Sequence, residues 1–170
     1  GYSLTNNISF SSNTWLNNTY GSSLATLSGD ISIPSSGAVY VNPSTGFDLQ
    51  LTGKVYSVGT GTFNVQGTGN ITFSGTSDNT GLAAGMYYRN TAQAAGIILA
   101  KTSSPTVHAI NSNSMIEWWA GSSAFYQLAG TGDDQIASNV TITLKSGYFD
   151  MNARNEGFTA LLMGDASNVV

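Results

Sequence analysis

The sequence contains no cysteine. No disulfide staples the chain and no thiolate can ligate a metal, so the fold has to rest on packing and hydrogen bonds. Charge is almost as scarce: 8% of residues are Asp, Glu, Lys or Arg, against about 25% in an ordinary soluble domain. Five Lys and Arg spread over 170 residues at a net charge of −4 build no basic patch, which excludes nucleic acid as a partner and polybasic attraction to a membrane surface. No apolar run approaches the roughly 18–20 residues that span a bilayer, so this segment is not expected to insert into a membrane. No signal peptide is visible. The chain begins at Gly1 rather than Met, which suggests a mature product or a piece of something longer.

Ser, Thr, Asn and Gly take the place of charge, while 41% of residues are hydrophobic. A surface of hydroxyls and amides is common in extracellular repeat proteins and rare in cytoplasmic enzymes, so a secreted or surface location is expected. Helix signal is nearly absent and strand alternation recurs. Leu4, Ile8 and Phe10 share a face in YSLTNNISF; Leu24, Leu27, Ile31 and Ile33 recur in SLATLSGDISI; Phe47, Leu49 and Leu51 alternate before Val55. NVTITLKSG places Val140, Ile142 and Leu144 inward and Thr141, Thr143 and Lys145 outward. Gly, Asn and Ser clusters separate these short runs, as corners require.

One repeat is internal and immediate. TGTFNVQG (60–67) is followed by TGNITFSG (68–75), aligning Gly61 with Gly69, Phe63 with Ile71, Val65 with Phe73 and Gly67 with Gly75. The unit is one short strand plus one Gly corner. A hairpin meander produces such a unit; so do consecutive sides of a parallel β-helix with about three short strands per coil, roughly 20–25 residues. Residues 81–129 are less regular. The Ala-rich GLAAGMYYRNTAQAAGIILAK has room for a short helix that Gly85 and Gly96 weaken, and 96–101, 106–110, 114–120 and 124–130 are expected as strands.

GTGDDQIASNVTITLKSGYFDMNARNEGFTALLMGD resembles a unit of the autotransporter-associated β-strand repeat. Asp133, Asp134, Gln135 and Ile136 fill its turn, Gly147–Asn152 its central segment and FTALLMGD its last. Residues 59–81 and 8–32 are similar to its companion and preceding elements. Ala153 stands where Gly usually follows the Asp-x-Asn, and Ser146 replaces the first Gly. The resemblance covers about two-thirds of the chain and departs most over 81–129. It implies an all-β, right-handed parallel β-helix, one solenoid domain over residues 1–170, in a stalk, adhesin or matrix fibre. It implies no catalytic residues.

Chemistry-bearing residues are few. Asp133 and Asp134 suit a turn whose side chains bond local backbone; Asp150 is expected on the surface, paired with Arg154 or Lys145. His108 is the single histidine and suits a hydrogen-bonded strand position. Calcium could use the corners at Asp78-Asn79 or Asp133-Asp134, but no nine-residue calcium repeat is present. No catalytic residue, metal or cofactor is expected. Trp118, Trp119 and Tyr126, with Tyr87, Tyr88 and Phe125, are the candidates for glycan stacking or a lateral contact; adjacent Trp residues in a strand point to opposite faces. Candidate N-glycosylation sequons begin at Asn7, Asn17, Asn70 and Asn139. Asn at stacked corners is expected to ladder from coil to coil.

The leading expectation is a structural solenoid that joins further copies end to end, since a coil stack exposes unpaired backbone at both ends. An alternative is a β-sandwich or jelly-roll filament subunit whose YSLTNNISF segment completes a neighbour's sheet. A glycan-binding adhesin module on the 114–126 aromatics is a further alternative. An enzyme is disfavoured by the lack of paired acids.

Overall fold

The computed structural model describes residues 1–18, 24–80, 86–88, 96–102, 106–111, 116–118 and 125–169. Three stacks of parallel strands form its faces. The first holds β1 (Tyr2–Leu4), β4 (Ala25–Leu27), β7 (Leu49–Leu51), β10 (Ile71–Gly75), β12 (Gly96–Lys101) and β14 (Phe125–Leu128) in that order. The second holds β2 (Ile8–Ser9), β5 (Ile31–Ile33) and β8 (Val55–Ser57), extended by the bridges Tyr56–Thr80 and Ile110–Ile136. The third holds β3 (Thr14–Asn18), β6 (Ala38–Pro43), β9 (Thr62–Val65), β11 (Met86–Tyr88) and β13 (Ile116–Trp118). The fold is a parallel β-solenoid, consistent with the expected right-handed parallel β-helix. Parallel pairing throughout the described strands rules out the sandwich alternative, which needs antiparallel sheets.

The two copies of the internal repeat are consecutive sides of one coil, not a hairpin: β9 pairs with β6 and β10 with β7. Ala25 sits over Tyr2, Leu49 over Ala25 and Ile71 over Leu49, steps of 23, 24 and 22 residues. Across 81–129 the steps lengthen to 26 (Ile71 to Ile97) and 29 (Ile97 to Tyr126), yet the strands stay in the stack. The expected strand at 96–101 is found with those bounds as β12, and the described parts of 114–120 and 124–130 hold β13 and β14, the latter ending at Leu128; 106–110 contributes bridges instead, and no helix occurs among the described residues.

β15 (Thr141–Asp150) and β16 (Ala160–Val169) each serve two faces. Ile142 pairs with Ile116 on the third face, and Phe149 with Tyr126 on the first. The chain therefore rounds a corner inside one strand, through a register shift between Leu144 and Ser146 and through Gly147 at φ 81°. That is the Ser146-Gly147 break in the sequence. A side chain at Gly147 would be forced into the left-handed region that L-residues avoid.

Inward rows fill a single core. Ile31, Ile33, Val39, Val41, Phe63, Val65, Ile71, Phe73, Val140, Ile142 and Leu144 are all buried, as the alternation predicts. Each such side chain contributes about 1.5–3 kcal/mol by leaving water. Phe63 of the third face meets Phe73 of the first with ring centroids 5.9 Å apart. Corners are held by side-chain amides and carboxylates that bond the next coil. Asn13 accepts from the Ala38 N–H (2.7 Å), Asn7 from Asp30 N–H (2.9 Å) and Asp30 from Lys54 N–H (2.9 Å). Asn42 donates to Asn17 at 3.2 Å, a direct Asn–Asn rung. The expected ladder is present, but most rungs join a side chain to backbone.

Candidate functional site

Three features stand out against this uniform scaffold. The first is the pair of end rungs. Among the described residues, large exposed apolar side chains gather there: Tyr2, Leu4 and Trp15 on the first coil, Leu24 at its exit, and Leu162 and Met163 on β16, with Val58 the exception between them. Tyr2 and Leu4 occupy inward rows, over Ala25 and Leu27, yet are 72% and 44% exposed. Met163 continues the row of Leu144 and is 47% exposed. Core rows are thus laid open at both ends.

The second is an outward strip on the third face. Trp15 registers with Tyr40, and their rings stack at 4.6 Å with 20° between planes. Asn17, two residues along β3, registers with Asn42. Trp15 is 55% exposed. The sequence signal for this strip was the shared spacing of 25 residues in Trp15–Tyr40 and Asn17–Asn42, one coil pitch, which alternation alone does not pick out.

The third is the corner between the first and second faces, where charge collects. Asp78 accepts from the His108 N–H (2.7 Å), faces the His108 imidazole Nδ1 at 3.3 Å and accepts from the Asn111 amide. Neighbouring Asn79 is wholly buried, accepting from Val55 N–H and donating to the Ala109 carbonyl, both at 2.8 Å. One coil on, buried Gln135 bonds both the N–H and the carbonyl of Lys101 at 2.8 Å. The Lys101 ammonium is itself buried and donates to the Gly53 carbonyl at 3.0 Å. Desolvation lowers its pKa to about 8, against the opposing pull of Asp78 and Asp30. Glu156 accepts from the Gln135 N–H at 2.7 Å. Its carboxyl is pushed up to about 7 by burial, with backbone hydrogen bonds opposing and Asp134 adding. A cleft of about 230 Å³ opens beside this corner, lined by His108, Asp134, Ile136, Ser138 and Gly157.

These contacts are structural in character. The Asp78 carboxylate and the Asn79 amide are consumed by the stack, and Asp133 accepts from Asn155 N–H at 3.0 Å. Among the described residues no group of three His or carboxylate side chains could hold a metal ion. Asp134 turns the chain in the left-handed region at φ 65°. Asp150 accepts from Gln127 (2.8 Å) and from Asn152 N–H (2.8 Å), while Arg154 donates to the Gly130 carbonyl.

Of the aromatic candidates, Tyr126 and Phe125 have described side chains; those of Tyr87, Tyr88 and Trp118 lie outside the described part of the structure. Tyr126 is 1% exposed and packs on Phe149 in the core, centroids 6.5 Å apart, so its place as a surface contact is corrected: its row is the inward row of Ile97 and Phe149. Trp118 registers through Tyr88 with buried Val65. Trp119 lies outside the described residues. Phe125 stacks on Tyr148 at 5.6 Å. Of the sequon residues, Asn7, Asn17 and Asn139 are exposed. Asn70 is engaged at both ends of its amide, donating to Asp48 at 3.2 Å and accepting from Gly96 N–H at 2.8 Å, so a glycan there would break a corner rung.

Comparison with family models, with curated proteins and with solved structures returned no match. No helix among the described residues is long and apolar enough to cross a membrane.

Proposed function

We propose that the chain is a structural solenoid subunit or segment, of the autotransporter-associated repeat kind, that joins further copies end to end into a fibre or stalk outside the cell. The observation that carries the reading is the opening of inward rows at both end rungs, where Tyr2, Leu4 and Met163 are exposed. The same rows are closed between them: Leu51 and Leu144 are 1% and 0% exposed. An open apolar row beside unpaired parallel backbone favours another coil. Contacts of this head-to-tail type do not close on themselves and generate filaments. The surface of hydroxyls and amides and the low charge support an extracellular setting. The polar corner serves the stack, and no catalytic role is assigned to it.

The test is the association state of the purified chain. Light scattering over a concentration series should show growth beyond the monomer, and negative-stain images should show fibres as wide as one solenoid. A chain that stays monomeric at the highest concentration sinks the reading.

A further inference from the structure

We propose that Trp15, Tyr40, Asn17 and Asn42 form a binding site for a neutral saccharide on the outer side of the third face. The indole and phenol rings are near-parallel at 4.6 Å, so Tyr40 braces one face of Trp15 and fixes the plane of the indole. The other face is left to solvent, and Trp15 is 55% exposed in consequence. A pyranose is the ligand class that matches a rigid, solvent-facing aromatic plane. Axial C–H groups give its ring an apolar face that can lie on the indole, and its equatorial hydroxyls reach outward for hydrogen bonds.

The hydroxyl partner is in place. Asn17 lies on the same side of β3 as Trp15, about 6.6 Å along the strand. Asn42 donates to the Asn17 carbonyl oxygen at 3.2 Å. That contact orients the Asn17 amide and leaves its N–H groups for an outside acceptor. Asn17 is exposed. Aromatic plane and amide donor are thus both held by a neighbour one coil away, and little ordering is left for binding to impose.

Charge decides between the ligands an aromatic plane accepts. A nucleotide would use the same stacking but needs cations for its phosphate. None of the four side chains is charged, and the chain holds only five Lys and Arg at a net charge of −4. An acidic polysaccharide is disfavoured by the same sign. The neutral sugar remains. The site does not rest on the end-to-end reading, but it shares the first coil with it: a second copy stacked on that coil would compete for the free indole face.

The experiment titrates the 170-residue chain, at a concentration where light scattering gives a monomer, with cellohexaose, chitohexaose, maltohexaose and a hexagalacturonate. Calorimetry and tryptophan emission follow binding. At least one neutral hexasaccharide should bind. Trp15→Ala should weaken that binding tenfold or more and Asn17→Ala severalfold, with Val58→Ala, another exposed apolar residue, unchanged. Circular dichroism and melting of each variant should match the parent, because all three side chains are on the surface. The proposal is overturned if none of the neutral sugars binds, if only the hexagalacturonate binds, or if affinity survives Trp15→Ala.

Discussion

The Lys101 ammonium reaches the backbone carbonyl of Gly53, 48 residues earlier, at 3.0 Å. Gly75, at φ 83°, is the residue in register with Lys101 on the intervening strand, and the backbone of Thr52 in the preceding coil fills the space a side chain there would need. The buried charge costs stability while it is held: the folded-state pKa is about 8 against an ordinary 10.5. A lowered lysine pKa means that the native state releases the proton first. Stability from this group is full above 10.5 and is lost as pH falls through about 8. Lys101→Met is therefore expected to raise stability at pH 6 by about 1 kcal/mol, net of the lost hydrogen bond. Its advantage should vanish toward pH 10.5. Thermal melts of both proteins across that range check it; a Met variant less stable than the parent at pH 6 contradicts the account.

Glu156 runs the other way. Its folded pKa of about 7 lies above the ordinary 4.5, so the native state holds the proton longer. The contribution is complete below 4.5 and is lost as pH rises through about 7. One carboxyl oxygen, Oε1, is buried without a hydrogen-bond partner, which makes the ionised form the costly one. Glu156→Gln keeps an acceptor for the Gln135 N–H and removes the titration. The variant should equal the parent near pH 4 and exceed it near pH 8, and the difference in melting temperature should grow between about pH 4.5 and 7 and level off above.

Ala153 turns the chain at φ 55° beside Asn152 at φ 48°. Left-handed backbone costs an alanine about 1–2 kcal/mol, partly offset by the freedom glycine restores to the unfolded chain. Ala153→Gly should gain about 0.5–1 kcal/mol, read as a rise of a few degrees in melting temperature. Asn152→Gly should instead lose stability, because the Asn152 amide donates to the Leu128 carbonyl at 2.9 Å. Equal responses at the two positions would contradict the strain argument.

Asn79 bridges two coils from inside the wall. Truncation to Ala strands the Val55 N–H and the Ala109 carbonyl, both bonded at 2.8 Å and buried with it. Two orphaned backbone groups cost roughly 3 kcal/mol together. Chemical denaturation of Asn79→Ala should show that loss, and a loss below about 1 kcal/mol would mean that water reaches the corner.

The first face holds one strand level more than the third. Its row runs Tyr2, Ala25, Leu49, Ile71, Ile97, Tyr126, Phe149, Val169. The third face runs Trp15, Tyr40, Asn64, Tyr87, Glu117, Thr143, Leu162. A copy laid with its β3 over the first half of β16 finds the second half of β16 where its own β1 belongs. In that register β1 gives way, and the same inward row, continued by Ala25 and Leu27 on β4, meets the neighbouring copy in place of Tyr2 and Leu4. Deleting residues 1–5 should shorten the lag before scattering rises; a longer lag would place β1 inside the contact instead.

Much of this architecture was written in the sequence. Alternation in NVTITLKSG fixed which side chains face inward, because a strand has a period of two and water sorts the two sides. Gly and Asn marked the corners, because few other residues turn sharply or bond their neighbours' backbone. The spacing of repeats set the coil length. Tertiary structure alone decided what lies over what. Tyr126, an apparent surface aromatic beside a Trp pair, is core because β14 registers it between Ile97 and Phe149. Trp15 and Tyr40 meet although 25 residues separate them. Lys101 is buried because its ammonium reaches a carbonyl two coils earlier, at Gly53. Such pairings depend on the length of each intervening corner, and a difference of one residue moves every side chain of a strand to the opposite face.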